Sequence, residues 1–234
     1  MTENKGSLNG SILRAYDIRG LVGDTLGPED AFAIGRAFVT IASHRLGRNP
    51  RLSVAYDGRV SSPALESELV RGMLCSGADV VRVGLGPTPM LYFSITALDR
   101  DGGIMVTGSH NPPNFNGFKL ALGGMPFWDE DIQYLGRVIA DGTYAEGNGG
   151  LTECRVENEY VARVCQEYRS SSGLSVAWDP GNGAAGSILR KLVTCLPGKH
   201  IVLNGEIDGT FPSHHPDPTV AENLEELIAA VQEH

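Results

Sequence analysis

The sequence predicts an α/β protein: a three-layer α/β/α fold on a mostly parallel, mixed sheet, organised as one complete domain and part of a second, similar one. Two observations predict it. Short apolar runs alternate with helical stretches along the chain, the order expected of a sheet covered on both faces. Three of those runs end in glycine-bearing polar loops, Asp57-Gly58-Arg59, Gly108-Ser109-His110 and Gly181-Asn182-Gly183. In such sheets ligands sit beyond the carboxyl ends of the strands, where loops of this kind lie.

Each element has its own signal. Pro28-Glu29-Asp30 opens a helix with Phe32, Gly35, Phe38, Val39 and Ala42 on one face and Gly47 at its end. A strand follows over Arg51 to Tyr56. Ser61-Ser62-Pro63 starts a second helix that reaches Gly77, with proline suited to the first helical position. Asp79 to Gly84 reads as a strand, and Pro87-Thr88-Pro89 leads into a helix over Met90 to Leu98. Gly103 to Thr107 and Phe118 to Leu122 are strands on either side of the serine loop. Trp128-Asp129-Glu130-Asp131 loads acids onto the front of a helix reaching Ala140. The glycine-rich DGTYAEGNGG then breaks the pattern, which predicts domains over residues 1–150 and 151–234. Beyond it come a helix (Val156 to Tyr168), a strand (Leu174 to Trp178), a glycine turn and helix (Ala184 to Val193), a strand (His200 to Leu203), a long loop and a final helix from Glu222.

With 234 residues, 41% hydrophobic and 20% charged, the composition is that of a soluble globular chain. A formal net charge of −9 excludes a general nucleic-acid or anionic-membrane binder, since both need a basic footprint. The sequence has no apolar run of about 18 residues for a membrane span. Its polar start, MTENKGSLNGS, lacks a secretory core, so a cytoplasmic location is expected. Cys75, Cys154, Cys165 and Cys195 are scattered, and neither a zinc site nor a disulfide scaffold is indicated.

The stretch GIMVTGSHNPPNFNGFK carries the sharpest chemical signal. An apolar strand runs into a serine enclosed by Gly108, His110 and Asn111, and Pro112-Pro113 then stop any regular continuation. Ser109 is not a hydrolase elbow, because Thr107 and Asn111 stand where that motif needs glycine. A serine carrying a phosphoryl group instead gains a charge of about −1.5 to −2 and needs cations and N–H groups around it. Lys119, Arg19 and Arg59 can supply the cations.

Other signals compete. WDPGNGAAG matches G-x-G-x-x-G at Gly181, Gly183 and Gly186, and Glu206 falls where a ribose-binding carboxylate stands in an NAD(P) domain. Pro180 and the position of Glu206 in a loop favour a tight packing turn over that reading. FPSHHPDP reads as a proline-stiffened loop rather than a metal site, since adjacent His214 and His215 diverge. Tyr16-Asp17-Ile18-Arg19 echoes Tyr56-Asp57-Gly58-Arg59, an echo too short to be a repeat.

Taken in order from Leu13 onwards, LRAYDIRGLVG, AYDGRVSSP, GPTPMLYF, GGIMVTGSHNPPNFNGFK and DGTFPSHHPDPTVAENL resemble the α-D-phosphohexomutase family, closest to its bacterial phosphomannomutase/phosphoglucomutase branch. The resemblance implies that Ser109 is the phosphoserine that gives its phosphoryl group to a hexose phosphate and takes one back from a hexose 1,6-bisphosphate. It implies catalytic roles for Lys119 and Arg19, ligand contact by Tyr16, loop-shaping by His110 and Asn111 beside the substrate, and structural support by Asp57 and Arg59. It implies Mg²⁺, held through the phosphate on Ser109. The family's Asp-Gly-Asp-x-Asp-Arg metal loop and its sugar- and phosphate-reading loops have no counterpart here. The chain is therefore expected to be an amino-terminal part, inactive alone, with a non-catalytic phosphosugar-binding module as the further alternative.

Overall fold

A computed structural model describes residues 8–169 and 173–234. The first unit contains β1 (Ile18–Leu21), α1 (Pro28–Leu46), β2 (Arg51–Tyr56), α2 (Ser62–Cys75), β3 (Asp79–Leu85), α3 (Thr88–Ala97), β4 (Gly102–Val106), β5 (Phe115–Leu122), β6 (Met125–Phe127) and α4 (Glu130–Asp141). After it come β7 (Leu151–Glu153), α5 (Glu157–Cys165), β8 (Leu174–Trp178), α6 (Gly186–Cys195), β9 (Gly198–Val202) and α7 (Glu225–Glu233).

The main sheet has the order β1-β5-β4-β2-β3-β7, with β6 on β5. Its centre is parallel (β4, β2, β3, β7), and β5 turns the direction by pairing antiparallel with β4, β1 and β6. The mixed, mostly parallel, doubly covered sheet is the one the sequence predicts. Period-2 alternation explains both cores. Leu52, Val54, Ile104, Val106, Phe118 and Leu120 face α1, α2 and α4, whereas Ala55, Val83, Met105 and Ala121 face α3, α5 and α6. Lys119, between Phe118 and Leu120, therefore points to the second face, paired in register with Met105.

Three strands are additions to the sequence reading. β1, β6 and β7 have 4, 3 and 3 residues, too short for a period to show. β5 begins at Phe115 rather than at the expected Phe118, because β1 pairs straight across Asn116-Gly117. The glycine-rich stretch predicted as the boundary delivers β7 onto β3, so Leu151 to Glu153 extend the first sheet. The second sheet is β8 paired parallel with β9, and no residue of either strand is fully buried. Its helices anchor it: Val156, Val161 and Ile188 join Met90, Leu91 and Ile95 in one cluster. No described helix is long and apolar enough to cross a membrane.

Helix starts follow local chemistry. At α1, Pro28 occupies the first turn and the Asp30 carboxylate accepts from Gly27 N at 2.7 Å. Asp30→Ala is expected to lower stability by about 1 kcal/mol in urea unfolding, the usual loss for a removed helix cap.

Candidate active site

β2 and β4 are parallel neighbours, so their carboxyl ends deliver Asp57 and Thr107 side by side, with Asp57 N donating to Val106 O at 2.9 Å. Asp57 then organises both loops. Its Oδ2 accepts from Thr107 Oγ1 (2.8 Å), Gly108 N (3.1 Å) and Arg59 Nε (3.2 Å). Its Oδ1 accepts from Ser62 Oγ (2.6 Å) and Arg59 N (3.1 Å).

Arg59 is 1% exposed and fills the serine loop like a central post. Its guanidinium donates to four carbonyls: Pro112 (2.6 Å) and Phe115 (3.0 Å) from Nη1, Ser109 (2.9 Å) and Asn111 (2.7 Å) from Nη2. Gly108 makes this possible, because a Cβ there would lie 2.3 Å from the Arg59 Cζ. The loop closes by Asn111 N donating to Gly108 O at 3.1 Å. At its crest Ser109 adopts φ +53°, in the left-handed region, with its N–H on Thr107 Oγ1 at 2.9 Å. The backbone of Ser109 is thus fixed at both its N–H and its carbonyl, and its side chain lines a cleft.

A second cationic group flanks the loop. Arg19, on β1, is 5% exposed and donates from Nη1 to Gly108 O at 2.9 Å while its Nη2 pairs with Asp17 Oδ2. Burial pulls its pKa down, opposed by Asp17. Its buried Nε has no partner. Lys119 Nζ donates to the same Asp17 Oδ2 at 3.0 Å. Burial likewise pulls Arg59 down against the charge of Asp57. Residues i and i+2 carry the same Asp–Arg pairing at both places, so the short sequence echo is a structural pair gripping the serine loop from two sides.

The cleft has a volume of about 700 Å³, within the range of small-molecule sites. Ser109, His110, Lys119 and Thr107 line it from the first unit, and Asp179, Gly181 and His214 from the second. His110 is exposed, with Nδ1 2.8 Å from Pro216 O. A carbonyl only accepts, so Nδ1 carries the hydrogen. Asn111 contributes through its backbone, as the turn-closing donor and an Arg59 acceptor. Tyr16 does not line the cleft: it is 75% exposed and stacks on Trp128, with ring centroids 6.0 Å apart and planes 6° from parallel.

Sequence reasoning missed Asp17 as the shared partner of Arg19 and Lys119, and Thr107 as the brace under Ser109. The repeated Tyr-Asp-x-Arg was the available signal for the first. The glycine turn after β8 serves packing: a Cβ on Gly186 would lie 2.1 Å from Gly205 O, and exposed Glu206 pairs with Arg190.

Fold and site define a doubly covered α/β protein with a cleft at the carboxyl ends of parallel strands. The family model for phosphoglucomutase/phosphomannomutase alpha/beta/alpha domain I matches residues 10–146, and that for domain II matches residues 158–234. A phosphomannomutase/phosphoglucomutase of Pseudomonas aeruginosa is 42% identical over 232 residues, which is 99% of this chain and 50% of that protein. A phosphoglucomutase of Neisseria meningitidis is 42% identical over 228 residues, 97% of this chain and 49% of its own. The crystal structure of a phosphoglucomutase/phosphomannomutase family protein from Burkholderia thailandensis superposes with a TM-score of 0.91 at 39% identity, over 97% of this chain and 51% of that one. The chain belongs to the phosphoglucomutase/phosphomannomutase family, and it spans about half the length of these relatives.

Proposed function

We propose that this chain is the phosphoserine-bearing part of a phosphohexomutase that interconverts hexose 1-phosphate and 6-phosphate, with mannose or glucose as the sugar. The observation that carries this reading is Ser109, held by its backbone on a left-handed crest between two buried arginines at the rim of the cleft, with Lys119 lining the same cleft.

In the first half-reaction the phosphorus on phospho-Ser109 is attacked by the free hydroxyl of a hexose monophosphate. The Ser109 Oγ–P bond breaks, an O–P bond to the sugar forms, and the hydroxyl proton ends on Ser109. The product is a hexose 1,6-bisphosphate. After it reorients, Ser109 Oγ attacks the other phosphorus, the sugar oxygen leaves and regains a proton, and the phosphoserine is restored. Such transfers depend on positioning and charge neutralisation. Lys119 offers the cation, oriented by Asp17, while Arg19 and Arg59 fix the loop.

Mg²⁺ demands nearly octahedral oxygen ligands. Among the described residues no group of three or more His, Cys, Asp and Glu side chains can hold a metal ion. The carboxylates of Asp17, Asp57 and Asp179 are already engaged by Lys119, Thr107 and His214. The residues present do not fit the ion by themselves. Mg²⁺ therefore remains in the proposal only as an ion held by phosphoryl oxygens on Ser109 with ligands from outside this chain. Family membership favours this reading over an NAD(P) domain or a non-catalytic phosphosugar module.

The test is ³¹P NMR of hexose 1-phosphates incubated with this chain and with a polypeptide of the relatives' length that carries it. The longer polypeptide is expected to convert mannose and glucose phosphates, and the chain alone to convert neither. Faster conversion of glucosamine phosphate than of both would overturn the sugar assignment.

A further inference from the structure

The stretch Phe211 to Pro218 holds two histidines and three prolines that the proposed reaction does not use. With the residues before it, it forms a strap laid over the machinery that shapes the serine loop. Gly209 lies flush on the Asp57–Arg59 turn, where a Cβ would come within 2.5 Å of Gly58 O and 2.7 Å of Val60 N. The Phe211 ring sits 5.0 Å from the Arg59 Cζ, and the Pro216 carbonyl accepts from His110 Nδ1 at 2.8 Å. The strap therefore touches the residue that holds the Ser109 carbonyl and the residue next to Ser109.

Its inner end is fixed by His214. One ring nitrogen, Nε2, lies 2.8 Å from Asp179 Oδ2, and the other, Nδ1, lies 2.9 Å from His215 O. The Asp179 side chain is 4% exposed, and its Oδ1 already accepts from Gly181 N at 2.8 Å, so it is placed as an acceptor. A carbonyl only accepts as well. Only an imidazolium donates from both nitrogens.

We propose that His214 is a positioning residue: as an imidazolium bridging Asp179 and the His215 carbonyl, it locks the strap onto the serine loop, so that its protonation sets the pose of Ser109 and His110. The charged groups acting on it are Asp179 at the end of β8 and Glu226 on α7. Burial alone would lower the pKa of the ring, and the His215 carbonyl together with the Asp179 carboxylate outweighs that and raises it. With a raised pKa in the docked state, docking is fully supported below the ordinary imidazole value of about 6.5 and weakens as pH rises through the raised value.

The consequence for turnover rests on the mutase reading, but docking itself is measured without turnover, so the two fail separately. In this chain, hydrogen-exchange protection factors of the Gly108, Ser109 and Asn111 amides are expected to fall about tenfold as pH rises from about 6 to about 9. Amides of α1 should hold their protection. His214→Gln keeps one donor for Asp179 without a titrating charge, and should abolish the pH step. ¹⁵N NMR of the unaltered chain should show both His214 nitrogens protonated at neutral pH. A neutral His214 ring, flat protection of the serine loop in the unaltered chain, or an unchanged step in His214→Gln would each overturn the proposal. In a longer, active polypeptide, His214→Gln should remove an alkaline decline in kcat and leave KM nearly unchanged.

Discussion

Replacing Arg59 with methionine is expected to lower the stability of the chain by about 3–5 kcal/mol, the range for breaking a buried charged partnership by removing one member. Methionine fills much of the same volume but donates nothing. Four carbonyls, those of Ser109, Asn111, Pro112 and Phe115, lose their common donor, a guanidinium that is itself fully buried. Asp57 loses its charge partner as well, although Thr107, Gly108 and Ser62 still donate to it. Arg59→Lys should recover at most about half of the loss, because an ammonium has three donors and no planar fork to span carbonyls on both sides. The measurement is the urea midpoint and slope of each variant. A midpoint shift worth less than about 1 kcal/mol in Arg59→Met would show that the loop is held by its prolines and not by the guanidinium.

That bracing shows where the sequence was legible and where it was not. Central strands and long helices were readable because a parallel sheet covered on both faces gives unbroken apolar runs, as in Ile104-Met105-Val106. The serine loop was readable because glycine and proline announce a fixed backbone shape. The Arg59 contacts were not, since its acceptors are backbone carbonyls, which leave no trace in residue identity. Asp17 was hidden for another reason. Its partner Lys119 is remote in sequence, and only the antiparallel register of β1 on β5, Ile18 opposite Phe118, brings them together. The register in turn depends on β1, a four-residue strand with one charged side chain, too short for alternation to reveal. Reading FPSHHPDP as a stiff loop described its backbone and missed its contact with Asp179, again a pairing across distant segments.

In a polypeptide of the relatives' length, Ser109→Ala is expected to abolish phosphoryl incorporation and nearly all mutase turnover while changing stability by no more than about 0.5 kcal/mol. The structure separates the two effects. What fixes the loop is the N–H of Ser109 on Thr107 and its carbonyl on Arg59, and alanine keeps both. Alanine also has the same Cβ as serine, so the left-handed backbone at φ +53° is no more strained than before. Only the oxygen that would carry the phosphoryl group is lost. Lys119→Met should behave differently in kind. It removes a cation that lines the same cleft as Ser109 and is expected to slow turnover about 10²- to 10³-fold, yet the serine remains able to take up phosphate. Intact-mass analysis after incubation with glucose 1,6-bisphosphate distinguishes them: one phosphoryl group on the unaltered protein and on Lys119→Met, none on Ser109→Ala. Peptide mapping should place that group on the segment containing Ser109. If Ser109→Ala retains near-normal turnover, or the phosphoryl group maps elsewhere, Ser109 is a turn residue and the bracing by Asp57 and Arg59 serves the fold alone.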